Sequence, residues 1–170
     1  EQRYGEDEEM FKLQLAPYRG VTEGVRPSGS SFTPPYPAKV PFEMDKLVKG
    51  MENMFNLLKT RELHPTELAA YLHFHLVRIH PFADTNGRTA RMLQDLVLKK
   101  YNFPAAAVLE GERRFYYKLL EDAGRGYRSR DVQNPLDVSE EERRFYGFIG
   151  SKVNTSLDKI LDKYFLEISQ

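Results

Sequence analysis

The side chains best suited to catalysis lie close together, in residues 80–91. The imidazole of His80 can act as a general base near neutral pH. Asp84 is the one carboxylate of the segment, and such a group can hold Mg²⁺ against phosphate oxygens. Arg88 and Arg91 are spaced i, i+3, which places both on one face if the segment is helical. A base, a carboxylate and two arginines together indicate chemistry on a phosphate ester or anhydride.

Asn86 and Gly87 are predicted to open the helix that carries these arginines. The first backbone N–H groups of a helix have no intrahelical partner, and a glycine there lets a phosphate approach them. Two arginines beside the positive end of a helix dipole are unfavourable unless an anion binds. Each residue alone also has an ordinary structural interpretation, as a cap, a turn or a solvated helix face. Their combination favours a phosphate site.

Two helices must position this segment. Residues 65–79 are apolar on nearly every face, which predicts a helix at the centre of the domain. A break at His80 and Pro81 ends it, and a second helix is predicted over residues 87–101. Its apolar positions are Met92, Leu93, Leu96 and Val97.

The rest of the chain predicts an all-α domain with one irregular segment. Apolar spacings of three and four indicate a helix near residues 41–59, and further helices are expected at 113–122 and 140–168, the last broken near Gly147 and Gly150. Residues 16–41 are rich in proline and glycine, which allows at most an extended loop or a short β-hairpin. Residues 1–12 are acidic and suggest a short helix or a frayed end.

Composition limits the classes of function. The 170 residues fit a single domain, and 25 basic residues balance 25 acidic ones, which disfavours helix-based DNA binding and membrane attraction. The absence of cysteine excludes disulfides and a cysteine nucleophile. It suits a reducing compartment, so we expect a cytoplasmic protein or one delivered into a host cytosol. No apolar run reaches the length of a membrane span.

The segment HPFADTNGRTAR resembles the signature of the Fic family, HPF-x-[D/E]-G-N-G-R-x-x-R. Further similarity extends over about residues 18–125. It includes Tyr18-Arg19, Val25-Arg26, Gly29-Ser30-Ser31-Phe32, Pro34-Pro35, His64-Pro65, Ala69-Ala70, His73, Arg114, Tyr116-Tyr117 and Leu120. The resemblance implies one Fic-type helical domain over residues 1–170, with a central helix-loop-helix active site. The flap would span about 18–38, the core about 42–125 and the C-terminal helices about 140–168.

The resemblance implies Mg²⁺-dependent transfer of AMP from ATP to a Ser, Thr or Tyr hydroxyl of a target protein, with release of pyrophosphate. His80 would be the general base, and Asp84 would bind Mg²⁺. Thr85, Asn86 and Gly87 would form the anion hole. Arg88 and Arg91 would hold the β- and γ-phosphates.

Other positions have less specific roles. Phe82 would be an inward-facing anchor, and Tyr116 or Tyr117 could stack on the nucleotide base. Flap residues would pair with an extended target segment, although an ordinary proline-rich surface loop is the alternative. The flap residues assigned to docking are Val25, Arg26, Ser31 and Phe32.

Two departures from the family pattern affect these expectations. Thr85 replaces the usual glycine, and because a β-branched residue resists positive φ, we expect an ordinary backbone conformation there. The family's asparagine after Tyr117 is missing, which leaves base and sugar recognition less defined. Gly87, where a phosphorylating relative has lysine, argues against phosphate transfer.

Two explanations of regulation stay open: inhibition from outside these residues, or an enzyme without restraint, as a toxin or a delivered effector would be. No Ser or Thr has a Glu four positions later, so the family's inhibitory motif is absent and Arg91 is predicted to be free for the γ-phosphate. An inhibitory helix would then belong to a separate protein or to further sequence. The remaining alternatives are transfer of another nucleotide or phosphate-containing group, and a catalytically silent module that binds nucleotide and protein. A zinc site at His73, His75 and His80 is disfavoured because these histidines lack ligand spacing.

Overall fold

Five α-helices make up most of the chain in the computed structural model, which describes residues 18–19, 33–129 and 137–168. They are α1 (Val40–Thr60), α2 (Pro65–Ile79), α3 (Asn86–Lys100), α4 (Arg113–Ser129) and α5 (Glu140–Ile168), with short 3₁₀ turns at Pro37–Lys39 and Glu110–Glu112. No strand occurs within these described ranges. The predicted all-α class is confirmed.

Helix α2 is the central element, and its predicted bounds are confirmed. His64 caps its N-terminus: its side chain accepts from the N–H of Thr66, while Glu67 accepts from the N–H of His64. Nearly every residue of α2 beyond the first turn is buried, because α1, α3, α4 and α5 all pack against it. His80, which directly follows the last residue of α2, is therefore attached to a buried helix.

The predicted break in the last helix is wrong, since α5 continues through Gly147 and Gly150. A methyl group added at either glycine would meet nothing within 4 Å, so neither marks a close approach. The cost of glycine in a helix, roughly 1 kcal/mol, is offset here by the buried stripe of Phe145, Ile149 and Val153.

Helix α4 extends further than residue 122 because its glycines permit close packing. Gly126 is buried, and a Cβ there would lie 2.3 Å from Ser139 Oγ, just before α5. Glycine at this position lets α4 continue past the start of α5 where any side chain would collide. The sequence pattern gave no sign of this packing.

The apolar positions of α3 do not all face the core. Met92 and Leu96 are 56% and 55% exposed, whereas Ala90, Gln94, Val97 and Leu98 are buried. The buried glutamine contacts α2, with its Oε1 2.6 Å from His73 Nδ1. Gln94 can therefore occupy a buried position that the apolar pattern did not indicate, because its side chain has a buried hydrogen-bonding partner.

Most of the predicted flap, residues 20–32, lies outside the described residues, as does the acidic segment 1–12. Within the described ranges, no helix is long and apolar enough to cross a membrane.

Candidate active site

His80 is held at the junction between α2 and the following loop. It is the C-cap of α2, with a left-handed backbone (φ 52°, ψ 56°), and its N–H donates to Leu76 O over 2.9 Å. His80 is only 8% exposed. The left-handed turn ends α2 abruptly and directs the chain into the loop of residues 81–85.

The imidazole of His80 is poised as a base. Its Nδ1 lies 3.3 Å from Val77 O, and because a carbonyl only accepts, Nδ1 carries the hydrogen and Nε2 retains its lone pair. Burial lowers the pKa of His80, and the nearby positive charge of Arg19 lowers it further, against the opposing effect of the Val77 hydrogen bond. The ring is therefore neutral at pH 7, as a general base requires.

The side chain of Asn86 closes the loop. Its Oδ1 accepts from the N–H of Phe82 over 2.9 Å, and its Nδ2 donates to Phe82 O over 2.8 Å. Asn86 is buried, and both polar atoms of its side chain are bonded to the loop. Its backbone N–H is therefore the group that can contact an anion. Phe82 itself is half-buried.

Thr85 adopts a left-handed conformation (φ 68°, ψ 0°), so the expected ordinary conformation is wrong. Its N–H donates to Asp84 Oδ1 over 2.5 Å, and its carbonyl accepts from Thr89 N–H over 2.8 Å to open α3. This turn directly precedes the first residue of α3, Asn86. A β-branched residue in this region is strained by on the order of 1–2 kcal/mol.

The N-terminus of α3 forms an electropositive end to the loop. The N–H groups of Asn86, Gly87 and Arg88 lie in its first turn, where no intrahelical acceptor is available. Arg91 Nη1 lies 3.7 Å from the place where a Cβ on Gly87 would stand, so this guanidinium folds back over the first turn. Within the described part of the chain, no carboxylate forms an ion pair with Arg91. Oriented N–H dipoles and a guanidinium together favour a bound polyanion.

Asp84 is exposed beside this helix end and pairs with Arg88, whose Nη2 lies 3.2 Å from Asp84 Oδ2. Among the residues that the structure describes, no group of three or more His, Cys, Asp or Glu side chains could enclose a metal ion. One carboxylate beside an electropositive helix end still fits Mg²⁺, which usually takes few protein ligands and completes its shell with phosphate oxygens and water. The Asp84 carboxylate is the group that would hold it.

The two tyrosines assigned to the nucleotide base differ in position. Tyr116 is 6% exposed, and its hydroxyl lies 2.7 Å from His73 Nε2 within the core. Its position leaves it no open ring face for a base. Tyr117 is half-buried and packs on Tyr116 with ring centroids 5.3 Å apart. It is the member of the pair with exposed ring surface.

Arg19 is a residue near the site to which sequence reasoning gave no role there. It is buried, its Nε donates to His80 O over 2.8 Å, and its backbone N–H donates to Pro81 O over 2.7 Å. The guanidinium also donates to Pro35 O. The only signal was its place in the Tyr18-Arg19 pair, since neither charge pattern nor periodicity indicates burial. The proposed docking residues Val25, Arg26, Ser31 and Phe32 lie outside the described residues.

Curated relatives match the part of the chain that contains this site. The chain is 37% identical over 106 residues to "Protein adenylyltransferase Fic" of Drosophila persimilis, which covers 62% of this chain and 21% of the relative. The identically named protein of Nematostella vectensis is 45% identical over 91 residues, covering 51% and 21%. The chain therefore spans about a fifth of the length of these relatives.

Solved structures agree with the helical fold. A Fic domain containing signaling protein from Bacteroides thetaiotaomicron is 27% identical, with a TM-score of 0.68 over 83% of this chain and 52% of that one. Fic-1 from C. elegans is 30% identical, with a TM-score of 0.53 over 81% and 36%. The model of the Fic/DOC family matches residues 4–98, more than half of the sequence and all of the loop from His80 to Arg91. The chain belongs to the Fic/DOC family.

Proposed function

We propose that this chain transfers AMP from ATP to a hydroxyl side chain of a protein target and releases pyrophosphate. The observation that carries the proposal is a neutral, buried His80 joined by one short loop to the electropositive N-terminus of α3. The names of the curated relatives support the same class of reaction.

His80 Nε2 removes the proton of the target Ser, Thr or Tyr hydroxyl as its oxygen attacks the α-phosphorus. A bond forms between that oxygen and phosphorus, while the bond to the oxygen bridging the α- and β-phosphates breaks. The electron pair leaves with pyrophosphate, and the proton remains on His80 until solvent takes it. The rate gain comes from positioning and from neutralising charge rather than from a covalent enzyme intermediate.

The phosphates are held by the first turn of α3. The N–H groups of Asn86 and Gly87 bind phosphate oxygens, while the guanidinium groups of Arg88 and Arg91 hold the β- and γ-phosphates. Mg²⁺, when bound by Asp84 and the phosphates, supplies charge neutralisation.

The proposal also includes the choice of nucleotide and of the transferred group. Tyr117 offers a stacking surface that does not discriminate strongly between bases, so other nucleoside triphosphates are competing donors. The target protein is one with an accessible hydroxyl in an extended segment, which would lie along residues 25–32.

The test uses ATP labelled at either the α- or the γ-phosphate, with Mg²⁺ and a protein mixture as acceptor. The proposal expects α-label on protein and no γ-label, and loss of the α-label in His80→Ala. Transfer of γ-label would instead identify a phosphotransferase, and no transfer from any labelled nucleoside triphosphate would identify a silent binding module. Arg144→Ala, an exposed arginine on α5 that pairs with Glu140, is the matched control and should retain parent activity.

A further inference from the structure

Arg19 lies 61 residues before the proposed base, yet its guanidinium contacts the backbone of that base directly. Its Nε donates to His80 O over 2.8 Å, and its own N–H donates to the next carbonyl, Pro81 O, over 2.7 Å. Only 6% of the surface of Arg19 is exposed. Burying an arginine is costly unless its donors find acceptors, and one acceptor of this guanidinium is the carbonyl of the proposed base.

The backbone of His80 needs such support. A left-handed conformation is unfavourable for a residue with a Cβ, and it persists only where the surroundings impose it. The N–H of His80 is bonded to Leu76 O, but its carbonyl lies beyond the last turn of α2 and has no helical partner. Arg19 supplies a charged donor to that carbonyl.

We propose that Arg19 is a positioning residue that holds the His80 backbone in its left-handed conformation and thereby aims the imidazole at the reacting hydroxyl. The catalytic part of this inference rests on the proposed function. The Arg19 guanidinium also donates to Pro35 O, so one side chain joins the two ends of the predicted flap segment to the base. A planar guanidinium reaches both carbonyls at once, whereas the single ammonium of lysine cannot.

The test compares Arg19→Met and Arg19→Lys with Arg78→Lys. Arg78 is the matched control, since it is buried to a similar degree on α2 but pairs with Glu43 of α1 over 2.5 Å rather than with the carbonyls of residues 80 and 81. All three variants should lower the midpoint of thermal unfolding. Arg19→Met should also lower kcat about 10- to 100-fold with KM for ATP within about twofold, because a small misplacement of a base costs this much. Arg19→Lys should lie between Arg19→Met and the parent.

The side-chain signal of His80 gives a readout that does not depend on transfer. In protein with ¹³C-labelled histidine rings, His80→Ala identifies the His80 resonance at fixed pH. That resonance should move in both Arg19 variants and stay in place in Arg78→Lys. If the parent transfers no nucleotide, the proposed function fails, and this resonance still decides the role of Arg19.

Three results would overturn the inference. One is parent-like kcat and an unmoved His80 resonance in Arg19→Met. Another is a loss of kcat in Arg78→Lys that equals the loss in Arg19→Met when both variants show the same drop in unfolding midpoint. If Arg19→Met does not fold, Arg19→Lys decides alone, and parent values for both its kcat and its His80 resonance would contradict the role of Arg19.

Discussion

Asp84 Oδ2 accepts a hydrogen bond from Arg88 Nη2 over 3.2 Å, so the residue proposed to bind the metal is paired with one proposed to bind phosphate. Both side chains are largely exposed, at 86% and 69%, and such pairs are weak. A nucleotide carrying Mg²⁺ can therefore separate them at little cost, with the metal taking Asp84 and a phosphate taking Arg88. Without the metal, Asp84 would compete with the phosphate for the arginine.

Asp84→Asn should change how nucleotide binding depends on Mg²⁺. The variant loses the carboxylate that repels metal-free ATP and occupies Arg88, so affinity for ATP in EDTA should rise about two- to fivefold. Affinity for ATP with Mg²⁺ and the rate of transfer should both fall. Isothermal titration calorimetry with and without Mg²⁺ measures this.

Glu140→Gln is the control for that experiment, because Glu140 also pairs with an exposed arginine four residues later on a helix. It should alter neither affinity. An Asp84→Asn variant that binds Mg²⁺-ATP as the parent does would remove Asp84 from the metal site.

Arg88→Ala should discriminate between nucleotides by the number of their phosphates. A charge-assisted hydrogen bond contributes about 1.5–3 kcal/mol, so affinity for ATP should fall by at least about tenfold. Affinity for AMP should stay within about twofold, since AMP lacks the β- and γ-phosphates. Equal losses for both ligands, measured by the same titration, would place Arg88 at the α-phosphate or outside the site.

The acidic limb of the activity profile should report His80. Burial and the charge of Arg19 lower the pKa of its imidazole below the ordinary 6.5, so the basic form persists into mildly acidic solution. At limiting ATP in excess Mg²⁺, kcat/KM reports the free enzyme, so it should rise with pH below that pKa and become constant above it. The midpoint should lie below pH 6.5 and agree with a ¹³C titration of the ring assigned through His80→Ala. A midpoint at pH 7 or above would contradict the environment described for His80.

The parts of the site that follow from local sequence could be predicted, and those set by distant contacts could not. The bounds of α2 follow from Pro65 and Glu67 at its start and from His80-Pro81 at its end, all of which are local signals. The burial of Arg19 depends on carbonyls 61 and 62 positions later, which no periodicity reports. The burial of Gln94 on α3 is likewise matched by a bond to His73, 21 residues earlier in the chain.

Thr85 illustrates a conflict between local preference and the needs of the loop. Its branched side chain disfavours positive φ, yet Thr85 adopts φ 68° at the position just before α3. The prediction from local preference was wrong because the rest of the loop offsets the energetic cost of positive φ at Thr85. Strain of this kind is concentrated at functional sites.

Thr85→Gly should therefore stabilise the protein. Relief of left-handed strain, on the order of 1–2 kcal/mol, exceeds the added entropy of a glycine in the unfolded chain, about 0.4–1 kcal/mol. The same substitution at Thr89, in the right-handed first turn of α3, should destabilise it. Urea unfolding of both variants checks this, and a destabilised Thr85→Gly would mean that the threonine side chain contributes contacts that outweigh the strain.

His73 should make stability depend on pH. It is fully buried between Gln94 and Tyr116, and burial lowers its pKa from 6.5 to about 4, with Arg91 contributing in the same direction and the Gln94 hydrogen bond opposing it. Gln94 Oε1 only accepts, so His73 Nδ1 carries the hydrogen, while Nε2 accepts from the Tyr116 hydroxyl. The protonated ring has no acceptor for its second hydrogen unless Tyr116 turns its own away.

Because the folded protein disfavours the charged ring, the unfolded chain binds the additional proton more readily between pH 6.5 and pH 4. The free energy of unfolding is therefore highest above pH 6.5 and falls as the solution becomes more acidic. For a shift to about 4, the loss attributable to His73 between pH 7.5 and pH 5 is about 2 kcal/mol. The parent should accordingly lose about 2 kcal/mol more than His73→Gln over this range in urea unfolding. Equal losses of unfolding free energy in the parent and in His73→Gln would show that the folded protein binds the His73 proton as readily as the unfolded chain does.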